Sequence, residues 1–284
     1  MPQILVVSHN IARGGTGSAK TLFARYARLE RKLRRPIDVL CLQEQQTFDG
    51  KNLADEICRM LNGDYAVHVD SVPRTSSLPP FPDPAVIWNT RTLRRIATLL
   101  KPIPRLECYS RRAQMFATDE AQQRLVAGVR FRDASGSLLD VWSVHLDAWG
   151  GNAHKAQQLL SVVTPPESQY GIPPAPLPER KIICGDTNIY APCHLPSRRL
   201  QRRALRQILD RAGIQDPGSQ PTFFYQRLLG SDMQTRLLRM LGRMRMLVPS
   251  KFDVVATSMP VTAYGVAKAS ESDHNLVWAV IDVS

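Results

Sequence analysis

Apolar residues recur along the 284-residue chain in two rhythms, and these divide it into elements. Ile4 to Val7 is a short apolar run that reads as a strand. Leu22, Tyr26, Leu29 and Leu33 then fall at helical spacing with Arg and Lys between them. Ser18 stands where it can cap that helix, and Pro36 stops it. The stretch "IDVLCLQE" is apolar on both faces, which predicts a buried central strand. Leu53, Ile57 and Leu61 mark a second helix closing near Gly63, and "YAVHVD" alternates like a strand. "AVIWN" and "RLVAGVRFRD" read as strands, and "LLDVWSVHL" is the hairpin partner of the latter across Ser135-Gly136. A helix is expected over Ala156 to Val163, and "RKIICGD" follows as a strand. Leu200, Ala204, Leu205, Ile208, Leu209 and Ala212 line one face of a helix ending at Gly213. "FDVVATSM" and "NLVWAVIDV" close the chain as strands.

Two stretches, "VPRTSSLPPFPDP" and "TPPESQYGIPPAPLPE", are too rich in proline for either element and are expected as long loops. Apolar runs continue on both sides of each, so no linker separates two cores. A single domain over residues 1–284 is expected. Strands and helices are interspersed without strict alternation, and several neighbouring strands share short turns. That pattern favours mixed or antiparallel α+β layering over a doubly wound parallel sheet.

Composition narrows the classes. The chain is 43% hydrophobic and 22% charged, the balance of a soluble globular protein. No apolar run approaches the ~20 residues that span a bilayer. The start, Met-Pro-Gln-Ile-Leu-Val-Val-Ser, has neither a basic region nor a long apolar core, so no signal peptide is expected and a cytoplasmic location is. The five cysteines, Cys41, Cys58, Cys108, Cys184 and Cys193, include no C-x-x-C pair. They read as reduced thiols rather than a disulfide framework or a zinc site. The formal net charge of +12 points to an anionic partner. Nucleic acid and an anionic membrane surface are the candidates, with simple solubility the plain alternative.

Several apolar runs end in polar groups that strand packing does not ask for. "ILVVS" runs into His9-Asn10, "DVLCLQ" into Glu44, "DVWSV" into His145, and "KIIC" into Asp186 and Asn188. Ser272-Asp273-His274-Asn275 directly precedes the last strand. Alone, each is an ordinary turn. Together they supply carboxylates, amides and imidazoles that converge if these strand ends share one edge. Carboxylate oxygens suit Mg²⁺ or Mn²⁺, and histidine offers positive charge or proton transfer near neutral pH. A hard cation, two histidines and several carboxylates are what hydrolysis of a phosphoester needs.

The ordered set Ser-His-Asn10, Leu42-Gln43-Glu44, His145-Leu146, Gly185-Asp186-Thr187-Asn188, Asp253-Val254-Val255 and Ser272-Asp273-His274 resembles the endonuclease/exonuclease/phosphatase superfamily, from Ile4 to Val283. The resemblance implies an α+β fold, a four-layer α/β/β/α sandwich of two mixed sheets packed face to face with helices outside, like pancreatic DNase. It implies Glu44 as the principal Mg²⁺ or Mn²⁺ ligand, with Asn10 beside it and Asp273 helping to hold a metal. Asp186 would orient or deprotonate the attacking water, and Asn188 would hold that water or the phosphate. His145 would contact the phosphate. His274 would bind it and stabilise the transition state, oriented by Asp253. Asn10, Tyr109, Arg111, Arg112 and Trp149 are the candidates for binding substrate; Trp149 equally suits a packed loop. His9 and Thr187 depart from the family's usual aromatics, and Lys155 stands where Arg is common.

The nucleic-acid phosphodiester is the expected substrate, cleaved by a monomer in endonuclease or exonuclease fashion. An inositol phosphate or sphingomyelin is the alternative. Two basic stretches bear on that choice. "SRRLQRRALRQILDR" carries its arginines on the outer face of a helix, either solvated or contacting phosphate. A Leu-, Met- and Arg-rich insertion around 226–250 contains Leu237, Leu238, Met240, Leu241 and Met244 with Arg236, Arg239, Arg243 and Arg245. Three readings of it are open: an added packed helix, a grip on a polyanion, or an apolar face for a membrane or partner. Gly242 weakens a continuous helix there by about 1 kcal/mol.

Overall fold

The computed structural model describes residues 2–12, 18–45, 52–61, 63–69, 84–102, 125–146, 151–163, 179–189, 198–228, 233–244 and 249–284. The first sheet runs in the order β10-β11-β1-β2-β4-β3 and the second in the order β5-β6-β7-β8-β9. The strands of the first sheet are β1 (Gln3–Asn10), β2 (Val39–Gln43), β3 (Tyr65–Val69), β4 (Ala85–Asn89), β10 (Val261–Ala267) and β11 (Leu276–Asp282). Those of the second are β5 (Arg94–Pro102), β6 (Leu125–Arg132), β7 (Leu138–His145), β8 (Lys181–Asp186) and β9 (Asp253–Thr257). Each sheet is mixed, because β1 pairs parallel with β2 and β7 parallel with β8 while every other pairing is antiparallel.

Side chains alternate across each strand and so fill separate layers. On β1, Ile4 and Val6 point between the sheets with Val39, Cys41, Phe131, Ile182, Cys184 and Val255. Leu5 and Val7 point the other way, under α1 (Ala19–Leu33) and α2 (Leu53–Met60). Ile183, Val254 and Ala256 pack beneath α3 (Asn152–Val163) and α4 (Arg198–Arg211). The order helix, sheet, sheet, helix is therefore the expected four-layer sandwich, α/β/β/α. Cys41 and Cys184 are free and buried between the sheets, and Cys58 is free and half-buried; Cys108 and Cys193 lie outside the described residues.

Helix boundaries follow local chemistry. The Ser18 hydroxyl accepts from Thr21 N at the start of α1, and Arg34 ends it in the left-handed region at φ 54°. β1 is longer than its apolar run, continuing through Ser8, His9 and Asn10, all fully buried. β2 stops at Gln43 because Glu44 turns left-handed, at φ 52°.

Gly185 is the tightest point of the second sheet. Its φ is 140°, and a Cβ there would meet the Val144 carbonyl oxygen at 1.9 Å. Gly185→Ala must therefore push β7 and β8 apart beside Asp186. A loss of about 3 kcal/mol or more is expected, read as a lower urea midpoint. An unchanged midpoint would mean that the strands relax freely.

The Leu/Met/Arg-rich stretch forms a 3-10 turn, Tyr225–Arg227, and α5 (Met233–Arg243). Gly242 is where they touch: a Cβ there would lie 2.8 Å from Gln226 N and from Tyr225 Cβ. Met233, Leu237, Met240 and Met244, by contrast, are at least half exposed. No helix among the described residues is long and apolar enough to cross a membrane.

Candidate active site

Parallel pairing delivers the C-terminal ends of β1, β2, β7 and β8 to one edge of the sandwich. β9 and β11 run antiparallel to β8 and β1, so they bring their N-terminal ends to that same edge. The register places His145 opposite Asp186, and Asp186 opposite Asp253. Asn10 stands opposite Gln43, one residue before Glu44. Six separate chain segments thus contribute to one cleft.

Asn10 lies at its centre. Its amide nitrogen donates to Glu44 Oε1 (3.2 Å) and Asp186 Oδ2 (3.1 Å). Ala12 N donates to Asn10 Oδ1 (3.0 Å), which fixes which way the amide faces. Ser272 Oγ donates to the Asn10 carbonyl (2.8 Å) and accepts from His274 N (3.1 Å), tying the loop before β11 to the end of β1. His274 Nδ1 donates to Asp253 Oδ2 (2.8 Å), and its Nε2 lies 3.6 Å from Asp186 Oδ2 and 4.0 Å from Asp273 Oδ1. His145 Nε2 is 3.8 Å from both Glu44 Oε1 and Asp186 Oδ2.

The groups lie at different depths. The side chains of Glu44, His145 and Asp273 are 24%, 13% and 11% exposed, and those of Asp186 and Asp253 are 3% and 0%. The first three rim the opening and the others form its floor, with His274 at 6% between them.

Burial sets the charges. Asp186 is pushed up to about 7 by burial, with Asp253 and Glu44 adding to the rise and His274 opposing it. Asp273 is likewise raised by burial, and by Glu44 and Asp253 beside it. Burial alone would lower His274, but the carboxylates of Asp253, Asp186 and Asp273 outweigh it and hold the imidazole well above its usual value. His274 is therefore an imidazolium clamped between acids.

Asn188 closes the floor at φ 48°. Its N–H donates to Asp186 Oδ1 (2.9 Å) and its amide nitrogen to the Leu146 carbonyl (3.0 Å). The buried Lys155 ammonium donates to the Asn188 carbonyl. The neighbouring Thr187 turns inward, its hydroxyl donating to the Phe252 carbonyl (2.8 Å). His9 also faces away from the cleft, hydrogen-bonded to the Tyr26 hydroxyl (3.0 Å), and burial lowers it to about 4. Asn10, Glu44, His145, Asp186, Asn188, Asp253, Asp273 and His274 are thus brought together. Tyr109, Arg111, Arg112 and Trp149 lie outside the described residues.

The supports beneath Asp253 leave no mark in the sequence pattern. Thr222 Oγ1 accepts from Phe252 N (3.1 Å) and Asp253 N (3.0 Å), and the Phe223 ring sits 4.9 Å from that of His274. The fully buried Lys251 ammonium donates to the Asp253 carbonyl (3.0 Å) and the Tyr264 hydroxyl (2.9 Å), and lies 2.9 Å from Asp216. Burial alone would discharge this lysine; the Asp216 carboxylate reverses that and keeps it charged. Nothing in "PSKFDVV" marks Lys251 as internal, because its carboxylate partner comes from a distant turn.

Donor atoms of Asp186, Asp253 and His274 lie within 4.8 Å of one another, close enough to surround a cation. The His274–Asp253 hydrogen bond already commits one donor from each, however. Glu44, at the rim beside them, raises the affinity of Asp186 and of Asp273 for protons, so the three supply a second group of hard oxygens. Such a group fits a cation that relieves the repulsion.

A two-sheet α/β sandwich with an acid–imidazole cleft at one sheet edge is the DNase I-like architecture. The chain carries the fold of the endonuclease/exonuclease/phosphatase superfamily. An endonuclease/exonuclease/phosphatase from Bacteroides vulgatus is similar over 100% of both chains, at 13% identity and a TM-score of 0.64. TDP2 from D. rerio, complexed with single-strand DNA product, also covers 100% of both chains, at 11% identity and 0.59. A mannosyl-6-phosphatase of Bacteroides thetaiotaomicron covers 98% of this chain and 99% of its own, at 14% identity and 0.57. No protein-family model matches the sequence, and no curated protein matches it.

Proposed function

We propose that this chain is a Mg²⁺- or Mn²⁺-dependent phosphodiesterase that hydrolyses nucleic acid. The observation that carries the reading is Asp186: a buried carboxylate raised to about 7, held by Asn10 and Asn188, with an imidazolium 3.6 Å away. A base titrating near working pH removes a proton from water efficiently. Asp186 takes that proton as the water oxygen bonds to phosphorus and the P–O ester bond breaks. His274, kept charged by Asp253, donates to the phosphoryl oxygens as negative charge builds on them. His145 reaches the same oxygens from the rim. Asn188 keeps Asp186 aimed at the water. Glu44, Asn10 and Asp273 would hold the cation, which when bound polarises the phosphoryl group and offsets the acids' repulsion.

Nucleic acid is favoured by the net charge of +12 and by the DNA product on the structurally similar TDP2. A second reading, a lipid phosphodiester at a bilayer surface, is favoured by α5. Its exposed Met233, Leu237 and Met240, with Met244 just past its end, recur every three or four residues, with Arg236, Arg239 and Arg243 beside them. The adjoining segment bonds next to the cleft, through Phe224 N to the Asp273 carbonyl (3.2 Å).

Plasmid, single-stranded DNA, RNA, an inositol phosphate and sphingomyelin, each with Mg²⁺ or chelator, separate the readings. Metal-dependent cleavage of a nucleic acid is expected. Turnover of lipid or inositol phosphate alone would overturn it.

A further inference from the structure

α4 carries six arginines and one aspartate in its fourteen residues. Gln201, Ala204, Leu205, Ile208 and Leu209 are its buried face. At 100° per residue, Arg199, Arg202, Arg203 and Arg206 fall on the opposite side, within a stripe about 100° wide. All four are exposed, and among the described residues no carboxylate pairs with them. An arginine row of this kind on a helix is by itself an ordinary solvated face. Two further observations separate it from one.

The first is alignment with the cleft. Gln201 Nε2 donates to the carbonyls of Ile189 (2.9 Å) and Lys251 (3.2 Å), and its Oε1 accepts from Lys251 N (3.1 Å). Ile189 follows Asn188, and Lys251 lies two residues before Asp253, so α4 begins at the catalytic edge. Past its other end, Gln215 pairs with Thr257 at the far end of β9. The helix therefore leads from the cleft down the side of the sandwich. The second is a groove of about 1390 Å³ that the four arginines line together with residues 258–260. Among the described residues two carboxylates face it. Asp216 is matched by Lys251 at 2.9 Å, and Asp210 lies at the end away from the catalytic edge.

We propose that this arginine face is a track for the backbone of a nucleic-acid strand extending away from the catalytic edge. It rests on the nucleic-acid reading of the cleft and adds where the rest of the strand lies. Arg199 to Arg206 spans about 10 Å of helix, the axial length of about three phosphates of one strand. Among the described residues that line the groove there is no aromatic side chain. The track therefore grips phosphate without stacking on bases and has no sequence preference.

The test uses the full chain in chelator, so that nothing is cut, with fluorescein-labelled dT6 and dT30 followed by anisotropy between 50 and 200 mM salt, roughly the range over which phosphate contacts dominate. Wild type is expected to bind dT30 about tenfold or more tightly than dT6. Replacing the four arginines, as Arg199→Gln, Arg202→Gln, Arg203→Gln and Arg206→Gln, is expected to remove most of that ratio. The slope of log K against log salt should fall by about 2 to 3, at about 0.7 per phosphate on single strands. Circular dichroism and the melting temperature check that the variant is folded, and Arg203→Glu alone should show a smaller loss in the same direction. A variant that keeps both ratio and slope overturns the track. So does a variant that loses affinity for phosphatidylserine vesicles while binding dT30 as wild type does. Mg²⁺-dependent cleavage of dT30, plasmid or RNA reports the catalytic reading separately: its absence on all three sinks that reading, whereas the length effect in chelator decides the track.

Discussion

Asp186→Asn is expected to slow hydrolysis by about 10²–10⁴-fold and, at the same time, to raise the melting temperature of the metal-free protein above pH 7. The two effects share a cause. Burial raises the Asp186 carboxyl from 3.8 to about 7, and each pH unit corresponds to about 1.4 kcal/mol. The charged form thus costs the fold up to about 4 kcal/mol. Losing the attraction to His274, and placing a second amide against Asn10, offset much of this, so a net gain of about 1 kcal/mol is expected. The sign follows from linkage. An acid whose folded pKa lies above its unfolded value weakens the fold as pH rises from about 4 to 7 and changes nothing beyond. The variant should therefore match wild type near pH 4 and exceed it at pH 8. His274 acts in the opposite sense: its raised pKa contributes stability that is complete below 6.5 and is lost as pH climbs through its folded value. Loss of a general base removes about 10²–10⁴ in rate. Turnover at the wild-type rate at pH 8 would exclude Asp186 as the base; a lower melting temperature there would show that burial does not govern its charge.

Glu44→Gln is the second large effect. Glu44 is the most exposed carboxylate of the cleft, and its Oε1 accepts from Asn10. Its backbone is held left-handed at φ 52°, a conformation that costs a non-glycine residue about 1 kcal/mol or more. That strain aims the carboxylate at the opening instead of along β2. If it is the principal ligand, Mg²⁺ at a hundredfold excess over its dissociation constant stabilises wild type by about 2.7 kcal/mol, and the glutamine variant by much less. Activity should fall at least a hundredfold, about 2.7 kcal/mol in the transition state. An equal metal-induced shift in both proteins would move the cation elsewhere.

The cleft was legible because its residues interrupt buried strands. His145 and Asp186 sit at the ends of apolar runs, where side-chain alternation alone explains no charge. Their convergence was not legible from any one run; it came from the order of six short motifs. Two strands, β5 and β10, were missed for a common reason. Each is the outermost strand of its sheet, and each shifts register, between Arg95 and Ala97 and between Val261 and Ala263. A bulge breaks the period of two, and an edge position leaves residues such as Ile96 exposed, so neither alternation nor apolarity marks them. α3 starts at Asn152, four residues before its expected start, because His154 and Lys155 are buried polar residues that a hydrophobicity pattern reads as surface. The Lys251–Asp216–Tyr264 cluster was hidden likewise: a lysine inside a core is recognised only once its partners are placed.

Both predictions rest on a division of labour, with the cation at Glu44 and the proton and charge work at Asp186, His274 and Asp253. Crystals soaked in Mn²⁺ and measured for anomalous scattering test that division directly. A peak is expected within coordination distance of the Glu44 carboxylate, on the side of Asn10 and Asp273. A peak centred among Asp186, Asp253 and His274, with none at Glu44, would contradict it.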